Sequence, residues 1–280
     1  MQRLAHVVGK FPIPKIETLY WKIGLLGKSE PKEFDICFEG LRYRGSLNQY
    51  IDRHIYFLGS YAPGELCFLN SAASVLRKTR RFLNFVDVGA NVGQHSLFMS
   101  KRVDRVIAFE PNNDVAARLE MNAQRNDVRN ILLLHYALGD VDGEGQLGSG
   151  FDDNSGARSL TWTLDPAKDI RVEVRRGDAV MDNLGVERID ILKLDVEGYE
   201  KKVLEGLAET LRRDRPVILF ELVGQSMKGG FHSEQELRSA LYPNHRLFSL
   251  NAKDGRLRDF DWSIEEAVCL PDELYASFKQ

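Results

Sequence analysis

The sequence predicts an α/β fold with a doubly wound, mostly parallel sheet. From residue 82 onward, short apolar segments alternate with amphipathic segments of helical period. Several apolar segments are nearly continuous runs, such as ILLL and PVILF. Such runs are typical of parallel strands, because helices cover both faces of a parallel sheet. The chain has 280 residues, of which 43% are hydrophobic and 28% are charged, so it is long enough to bury a sizeable core.

Seven segments have the apolar composition of strands. In chain order they are residues 83–88, 105–109, 131–136, 189–194, 217–221, 246–250 and 267–270. Helical periodicity lies between them at residues 94–102, 114–126, 201–213 and 233–242. Ser233 and Glu236 form a capping box for the last of these helices, and Pro216 stops the helix before it.

Two regions depart from this alternation. Residues 139–178 are rich in Gly, Asp and Ser and end in the alternating run IRVEVRR, which predicts a flexible loop and then an antiparallel strand added beside the main sheet. Before residue 63, FDICFEGLRYRGS predicts a hairpin. IETLYWKIGLL predicts an amphipathic helix that packs on the main domain or on another subunit, so a homo-oligomer stays open. We therefore predict an N-terminal extension, residues 1–62, and a main domain, residues 63–280.

Composition excludes several classes of protein. The net charge of −3 gives no general attraction to nucleic acid or to an anionic membrane, and the basic run at residues 77–81 is interpreted as a solvated helix end. The three cysteines are far apart, which disfavours a zinc knuckle or a disulfide framework. No apolar run approaches the ~20 residues that span a bilayer, and the first residues lack the pattern of a signal peptide. We expect a cytoplasmic protein with no nucleic-acid partner.

The segment FVDVGANVGQHS suggests a ligand site. Gly89 and Gly93 permit a tight turn between the first main-domain strand and its helix, and they let a ligand approach the backbone. Glu110 ends the next strand, 21 residues after Gly89. Doubly wound folds place a carboxylate at that position to accept hydrogen bonds from ribose hydroxyls. The pattern therefore predicts a ribose-containing ligand.

The charges around the turn indicate which ligand this is. A nicotinamide dinucleotide carries a pyrophosphate and usually lies on a G-x-G-x-x-G turn, but here Asn91 takes the second glycine position. Asp87, immediately before the turn, would repel a pyrophosphate. It would suit S-adenosylmethionine (SAM), which carries no phosphate and has a cationic end. A nicotinamide-dependent oxidoreductase is the alternative.

Four segments together resemble the motif series of the FkbM family of SAM-dependent methyltransferases. They are FVDVGANVGQHSLFMS, VIAFEPN, HYALGD and IDILKLDVEGYEKKVLEGL with the following RPVILFEL, between residues 82 and 222. The resemblance implies a class I methyltransferase fold, with seven strands of which the last is antiparallel. It also implies methyl transfer to a hydroxyl of a sugar, a glycan or a natural-product scaffold. The first 60 residues and the tail after residue 224 carry no such match.

The same resemblance implies roles for individual residues. The methionine end of SAM would lie on Asp87, Gly89, Ala90, Asn91 and Gly93. Glu110 would bind the ribose, and Ala137 and Leu138 would flank the adenine. Asp195 matches the acid at the end of the fourth strand, near the sulfonium and the acceptor.

The run KLDVEGYE supplies the catalytic candidates. Lys193, Asp195 and Glu197 alternate, so they point to one face while the strand continues. A lysine inside a covered strand must be paired or neutralised. Asp87 is the first choice of partner because the fourth strand neighbours the first, and Asp195 and Glu221 are further choices. A network of ion pairs that holds the strand ends together is the structural alternative to a catalytic role for Lys193.

An alcohol acceptor must lose a proton, so a base is expected near the methyl group. Asp195 and Glu197 are the candidates, with His54 and His232 in reserve. His95 and His135 lie inside predicted core elements and are expected to pack there. The carboxylates of Asp195, Glu197 and Glu221 could also hold a divalent cation that acidifies a diol, but no histidine spacing supports a metal, so a metal is the minor alternative and none is predicted. The insertion at residues 139–178 and the N-terminal hairpin are predicted to form a lid. A SAM-binding module without catalysis stays open as a third function.

Overall fold

The computed structural model describes residues 33–150, 158–222 and 229–278. The predicted amphipathic helix in IETLYWKIGLL lies outside these residues. The strands are β1 (Glu33–Phe38), β2 (Leu41–Ser46), β3 (Asn84–Val88), β4 (Arg105–Phe109), β5 (Ile131–Leu134), β6 (Ala137–Gly139), β7 (Gly143–Leu147), β8 (Ile170–Arg176), β9 (Ile191–Leu194), β10 (Val217–Glu221), β11 (His245–Leu250), β12 (Leu257–Asp259) and β13 (Glu266–Pro271).

Eight described α-helices connect or cover these strands. They are α1 (Tyr50–Leu58), α2 (Pro63–Arg77), α3 (Gln94–Ser100), α4 (Asn113–Gln124), α5 (Gly177–Asn183), α6 (Glu200–Gly206), α7 (Ala208–Asp214) and α8 (Glu234–Ala240). The α2 helix ends at Arg77, so the basic run lies at a helix end as predicted. At α8 the Ser233 side chain accepts a hydrogen bond from the Glu236 backbone N–H, which is the predicted cap.

The central sheet has the order β12-β11-β13-β10-β9-β3-β4-β5. The five strands from β10 to β5 are parallel, while β13 and β11 are antiparallel to their neighbours. The predicted α/β class is confirmed, with a three-residue eighth strand, β12, added at one edge. Buried apolar side chains form a core on each face of this sheet, which explains why its inner strands are apolar throughout.

The insertion after β5 differs from its prediction. The run IRVEVRR does form a strand, but β8 pairs with β6 and β7 in a separate three-stranded sheet and leaves β5 at the edge of the main one. Its pattern explains this arrangement, because Val172 and Val174 are buried while their neighbours are exposed. A strand with one solvated face fits a small sheet on the surface better than a sheet covered on both faces.

The predicted helix over residues 201–213 is two helices, α6 and α7, which meet at Leu207. Gly206 packs so closely on the Gly139 carbonyl oxygen that a Cβ there would lie 1.8 Å from it. This contact ties α6 to the start of the insertion. In the described part of the chain, no helix is long and apolar enough to cross a membrane.

The N-terminal hairpin of β1 and β2 is confirmed, with Phe38 opposite Leu41 at its turn. It packs beside α4, where the Asn122 and Asn126 side chains accept hydrogen bonds from backbone N–H groups of β2. Asp52 of α1 is fully buried and pairs with Arg118 of α4. These contacts fix the N-terminal region against the main domain. The two regions on either side of the predicted boundary at residue 62 are therefore packed together. The boundary itself stays a prediction.

Candidate active site

One cleft opens at the carboxyl ends of β3, β4, β9 and β10, as predicted for an open α/β sheet. Its empty space, including the open mouth, is about 870 Å³. Predicted site residues that line it are Gly89, Asn91, Glu110, Ala137, Leu138, Asp195 and Glu197. We divide the cleft into a β3–β4 half, built around Gly89, Asn91 and Glu110, and a β9–β10 half, built around Asp195, Glu197 and Glu221.

The turn after β3 needs its glycines for packing. Gly89 has φ +80°, and a Cβ on it would lie 1.8 Å from the carbonyl oxygen of Asp195. Gly93 has φ +83°, and a Cβ on it would lie 2.2 Å from the Leu119 side chain. Asn91 also has a left-handed backbone, with φ +52°, which asparagine tolerates better than most residues. The turn therefore brings the end of β3 directly against the end of β9.

Glu110 lies beneath this turn and is 7% exposed. One carboxylate oxygen accepts the Asn91 N–H at 3.0 Å and the other accepts the Asn112 N–H at 2.8 Å. Burial raises the pKa of Glu110 to about 7, and these two N–H groups oppose the rise. A carboxylate oxygen can accept more than one hydrogen bond, so both oxygens can still bind hydroxyl donors.

Asp87 and Lys193 face each other across β3 and β9. Asp87 is fully buried, and the Ser96 hydroxyl donates to one of its oxygens at 2.6 Å. Its other oxygen makes no hydrogen bond with the described residues and lies 3.9 Å from the Lys193 ammonium. The prediction that Lys193 is paired with a strand-end carboxylate is confirmed, but the lysine is closer to Asp195, at 3.1 Å, than to Asp87, the first choice.

Charge determines the protonation of the β9–β10 half. Burial alone would raise the pKa of Asp195, but the Lys193 ammonium holds it below its usual value. Glu221 is hydrogen-bonded to Asp195, and the Asp195 charge, followed by burial, raises the pKa of Glu221 far above its usual value. Two carboxyl groups in contact cannot both be ionised at little cost. Asp195 is therefore the anion of the pair and Glu221 carries the proton.

Glu197 occupies a strained turn at the edge of the cleft. Its φ is +55°, and its carbonyl oxygen accepts the Ser159 hydroxyl at 2.6 Å and the Trp162 indole N–H at 3.2 Å. Both donors belong to the insertion after β5. Burial, followed by the charge of Asp195, raises the pKa of the Glu197 side chain to about 8. The alternation of Lys193, Asp195 and Glu197 thus ends in a turn and does not continue as a strand.

A family model for the methyltransferase FkbM domain matches residues 87–250, which is more than half of the chain and includes the cleft-lining residues from β3 to β10. The chain belongs to the FkbM methyltransferase family. The match begins at Asp87 and so excludes the N-terminal hairpin, α1 and α2.

Two relatives of this FkbM protein are each similar to about half of the chain. It is 30% identical over 133 residues to the hexuronic acid methyltransferase AglP of Haloferax volcanii, covering 48% of this chain and 53% of AglP. It is 32% identical over 171 residues to the AMB antimetabolite synthetase AmbE of Pseudomonas aeruginosa, covering 48% of this chain and 8% of AmbE. The chain thus spans about half the length of AglP and a small part of AmbE.

The fold is also that of a solved methyltransferase. The crystal structure of the SAM-dependent methyltransferase from Agrobacterium tumefaciens is 9% identical and superposes with a TM-score of 0.50, covering 88% of this chain and 72% of that one. At this identity the likeness shows the fold alone. It agrees with the class I arrangement that the FkbM motifs imply.

Other predicted residues lie outside the cleft lining. Asp87 and Lys193 are buried beneath the cleft, Ala90 is 4% exposed, and Gly93 packs on α4. The His54 ring lies 4.5 Å from the Tyr50 ring at a tilt of 44°. The predicted roles of these residues, in binding the cofactor or as a base, stay predictions.

The histidines in core elements divide into two cases. His95 is buried, as expected, and its Nε2 lies 3.0 Å from a Glu65 carboxylate oxygen. His135 is exposed, which corrects the prediction that it packs in a strand, because β5 ends one residue earlier. It lies beside Asn113 and Glu120. His232 is exposed near the start of α8.

The walls of the cleft come from two segments that no motif identified. Leu147, Arg158 and Leu160 of the insertion form one wall, as the lid prediction expected of this region. On the other side the lining comes from Ile51 and Tyr61, and the hairpin itself packs elsewhere. These positions belong to no motif, so the sequence gave no signal for them individually. Across the described ranges, no group of His, Cys, Asp or Glu is arranged to hold a metal ion.

Proposed function

We propose that this FkbM protein is a SAM-dependent O-methyltransferase that acts on a hydroxyl of a sugar, a glycan or a natural-product scaffold. One observation carries the proposal: two carboxylates line the same cleft. One is buried and stands where doubly wound folds bind a ribose, and the other is ionised at the end of a nearby strand. Glu110 supplies the first and Asp195 the second. Such an arrangement suits a cofactor on one half and an acceptor on the other.

The β3–β4 half fits SAM by its chemistry. Glu110 has no described cation against it and receives one N–H on each oxygen, so the two hydroxyls of a ribose would complete its hydrogen bonding. Asn91 and Gly89 would border the methionine end, and Ala137 and Leu138 would border the adenine. When bound, SAM supplies a methyl group activated on a cationic sulfur.

The charge of the lining supports SAM over a nicotinamide dinucleotide. Four acidic residues line the cleft, Glu110, Asp195, Glu197 and Glu221, and among the described lining residues the basic one is Arg158. Of these four, Asp195 is ionised and Glu110, with a pKa of about 7, is partly ionised at neutral pH, so a pyrophosphate in the cleft would be repelled, whereas a sulfonium and an ammonium would be attracted. The carboxylate of Asp87, which is buried directly beneath the turn, would also repel a pyrophosphate.

The proton of the acceptor hydroxyl can pass to one of two carboxylates. Asp195 is ionised and held in place by Lys193 at 3.1 Å, so it is ready to accept a hydrogen bond at neutral pH, although its low pKa makes it a weak base. Glu197, with a pKa of about 8, is the stronger base once ionised. We propose that Asp195 orients the hydroxyl and that one of these two carboxylates takes its proton.

Calorimetric titration with SAM, S-adenosylhomocysteine and NAD tests the cofactor. We expect SAM and S-adenosylhomocysteine to bind and NAD to bind far more weakly, and a preference for NAD would refute the proposal. Release of S-adenosylhomocysteine in the presence of hydroxylated glycosides, including neutral glycosides and hexuronic acids, tests the reaction. The hexuronic acids belong in the panel because AglP methylates one. Binding of SAM without turnover of any acceptor would favour a non-catalytic module.

A further inference from the structure

Tyr61 lies in the segment between α1 and α2, in the part of the chain that precedes the family match. Its side chain lines the cleft, and its phenol interacts electrostatically with Asp195, which follows β9, and with Glu221, which ends β10. The cofactor residues Gly89 and Glu110 follow β3 and β4 instead. Tyr61 is therefore placed on the β9–β10 half, where the acceptor would lie.

Gln94 fixes the backbone of Tyr61. Gln94 is 3% exposed, and its amide oxygen accepts the Tyr61 N–H at 2.6 Å while its amide nitrogen donates to the Tyr61 carbonyl oxygen at 2.8 Å. Gln94 is the first residue of α3, directly after the glycine turn. A buried amide that meets both polar groups of one distant residue fixes its position in two directions. The cofactor turn and Tyr61 are thus one rigid unit.

Aromatic packing holds the ring of Tyr61. Tyr50 meets it edge-on at a centroid distance of 5.9 Å, and His54 does so at 5.6 Å. Both belong to α1, which the buried Asp52–Arg118 pair ties to α4. Two rings of α1 therefore pack on the Tyr61 ring, which also lines the cleft.

The hydroxyl of Tyr61 is a hydrogen-bond donor that has no partner among the described residues. Within residues 33–150, 158–222 and 229–278, no group bonds it, although the backbone of Tyr61 is fully engaged with Gln94. Burial, followed by the charges of Asp195, Glu221 and Glu65, raises the pKa of the phenol well above its usual value. It therefore keeps its proton, and it can donate a hydrogen bond at any physiological pH.

A donor and an acceptor that face one space are what a hydroxyl compound requires. Asp195 is ionised and accepts hydrogen bonds, while Tyr61 donates them. A polyol offers both an O–H and oxygen lone pairs, so it can satisfy the two groups at once, whereas a protonated amine has no lone pair for the phenol.

We infer that Tyr61 is an acceptor-binding residue, whose hydroxyl donates a hydrogen bond to an oxygen of a polyol acceptor while Asp195 accepts one from it, and that Gln94 is a positioning residue for Tyr61. The inference rests on the proposed O-methyltransferase function and names two residues that carry its specificity. It assigns this role to a segment that lies outside the methyltransferase motifs.

Two conservative variants and a matched control test the inference. Tyr61→Phe removes the hydroxyl and keeps the ring, and Gln94→Met keeps the volume of the side chain and removes its two hydrogen bonds. Tyr50→Phe removes a phenol from the same aromatic group without changing the cleft lining. For each protein, SAM affinity is measured by calorimetry. Kinetics are measured by S-adenosylhomocysteine release, with whichever methyl glycoside or glycerol the wild type methylates fastest.

We expect Tyr61→Phe to raise the KM for the acceptor by about tenfold or more, because a binding group of the acceptor is left without its partner. The Kd for SAM should stay within about twofold, and Tyr50→Phe should change neither constant beyond that range. Gln94→Met should raise the acceptor KM as well, and the double variant should be no worse than about the worse single one, since both changes act on one contact.

An unchanged acceptor KM in Tyr61→Phe overturns the inference. A weakened SAM titration with an unchanged acceptor KM overturns it too, because the hydroxyl would then serve the cofactor. If the wild type binds SAM but methylates amines alone, or no hydroxyl compound of the panel, the proposed O-methylation fails before Tyr61 is tested. The wild-type assays thus separate failure of the proposed function from failure of the Tyr61 assignment.

Discussion

Backbone groups shape the β3–β4 half of the cleft, whereas charged side chains shape the β9–β10 half. At Glu110 the partners are two backbone N–H groups from positions close to the strand ends. At Asp195 the partners are the side chains of Lys193 and Glu221, from two different strands. The shape of the β3–β4 half depends on a few glycines in its turn. The charge state of the β9–β10 half depends on how its charged side chains are paired. The two halves should therefore respond differently to substitution and to pH.

The largest effect is expected where the halves touch. In Gly89→Val the new Cβ would meet the Asp195 carbonyl oxygen, and φ is +80°, so the free energy of unfolding should fall by about 4 kcal/mol or more. Gly59→Val is the matched control, since φ is +92° there and nothing lies within 4 Å, and it should lose about 1–2 kcal/mol through strain alone. Urea unfolding measures both. Equal losses would show that the halves are not locked together by this contact.

The next effect tests the charges of the β9–β10 half. Lys193→Met leaves Asp87 and Asp195 without their cation in a buried site and should lower the free energy of unfolding by about 3–5 kcal/mol. Lys202→Met removes an exposed lysine that pairs with Asp140 and should cost about 1 kcal/mol or less. Adding Asp195→Asn to Lys193→Met should recover part of the loss. A loss for Lys193→Met as small as the control's would contradict a buried charge network.

Catalysis should depend on the carboxylates of the same half. Asp195→Asn or Glu197→Gln should lower kcat by about 10²-fold, the usual scale for losing a general base, with SAM binding retained. If Glu197 is the base, kcat should rise as pH passes about 8, where its carboxyl group ionises, and Glu197→Gln should abolish that rise. If Asp195 is the base, kcat should be flat there, because its pKa lies below the usual value. Full activity in both variants would make these carboxylates structural.

The smallest expected effect concerns the β3–β4 half. Glu110→Ala should weaken SAM binding by about 1.5–3 kcal/mol, the range for hydrogen bonds to a charged acceptor. Near-normal SAM affinity in a folded variant would remove Glu110 from the ribose site.

The same carboxylate gives SAM binding a pH dependence. The pKa of Glu110 is about 7 in the free protein, and ribose hydroxyls would donate to its ionised form, so binding should lower that pKa. SAM affinity should therefore be highest above pH 7 and fall as pH decreases below it. Glu110→Gln should lose this part of the slope, leaving what Glu197 contributes near pH 8. An affinity independent of pH would show that Glu110 is already ionised without the ligand.

Strand and turn positions were predictable where local pattern determines them. The predicted bounds of β4 and β10 are those observed, because both strands are buried runs closed by a charged residue or a proline. Both glycines of the turn were identified, and the tight turn predicted at Gly89 is observed, but its close contact with the Asp195 backbone could not be read from the sequence. The β8 strand was also identified, but its sheet was not, since period-two alternation says that one face is solvated and not which strand lies alongside.

The sequence by itself determined the fold class and the family, and it predicted the residues that would hold a cofactor. These follow from periodicity and from spacings of a few to about twenty residues, such as the interval between Gly89 and Glu110. The tertiary structure decided which carboxylate pairs with Lys193, which carboxyl group carries the proton and which wall Tyr61 provides. Those outcomes depend on contacts between residues that are distant in the chain, such as Gln94 with Tyr61. They also depend on burial, because in a buried site a small difference in the distance between two charges makes a large difference in their interaction energy.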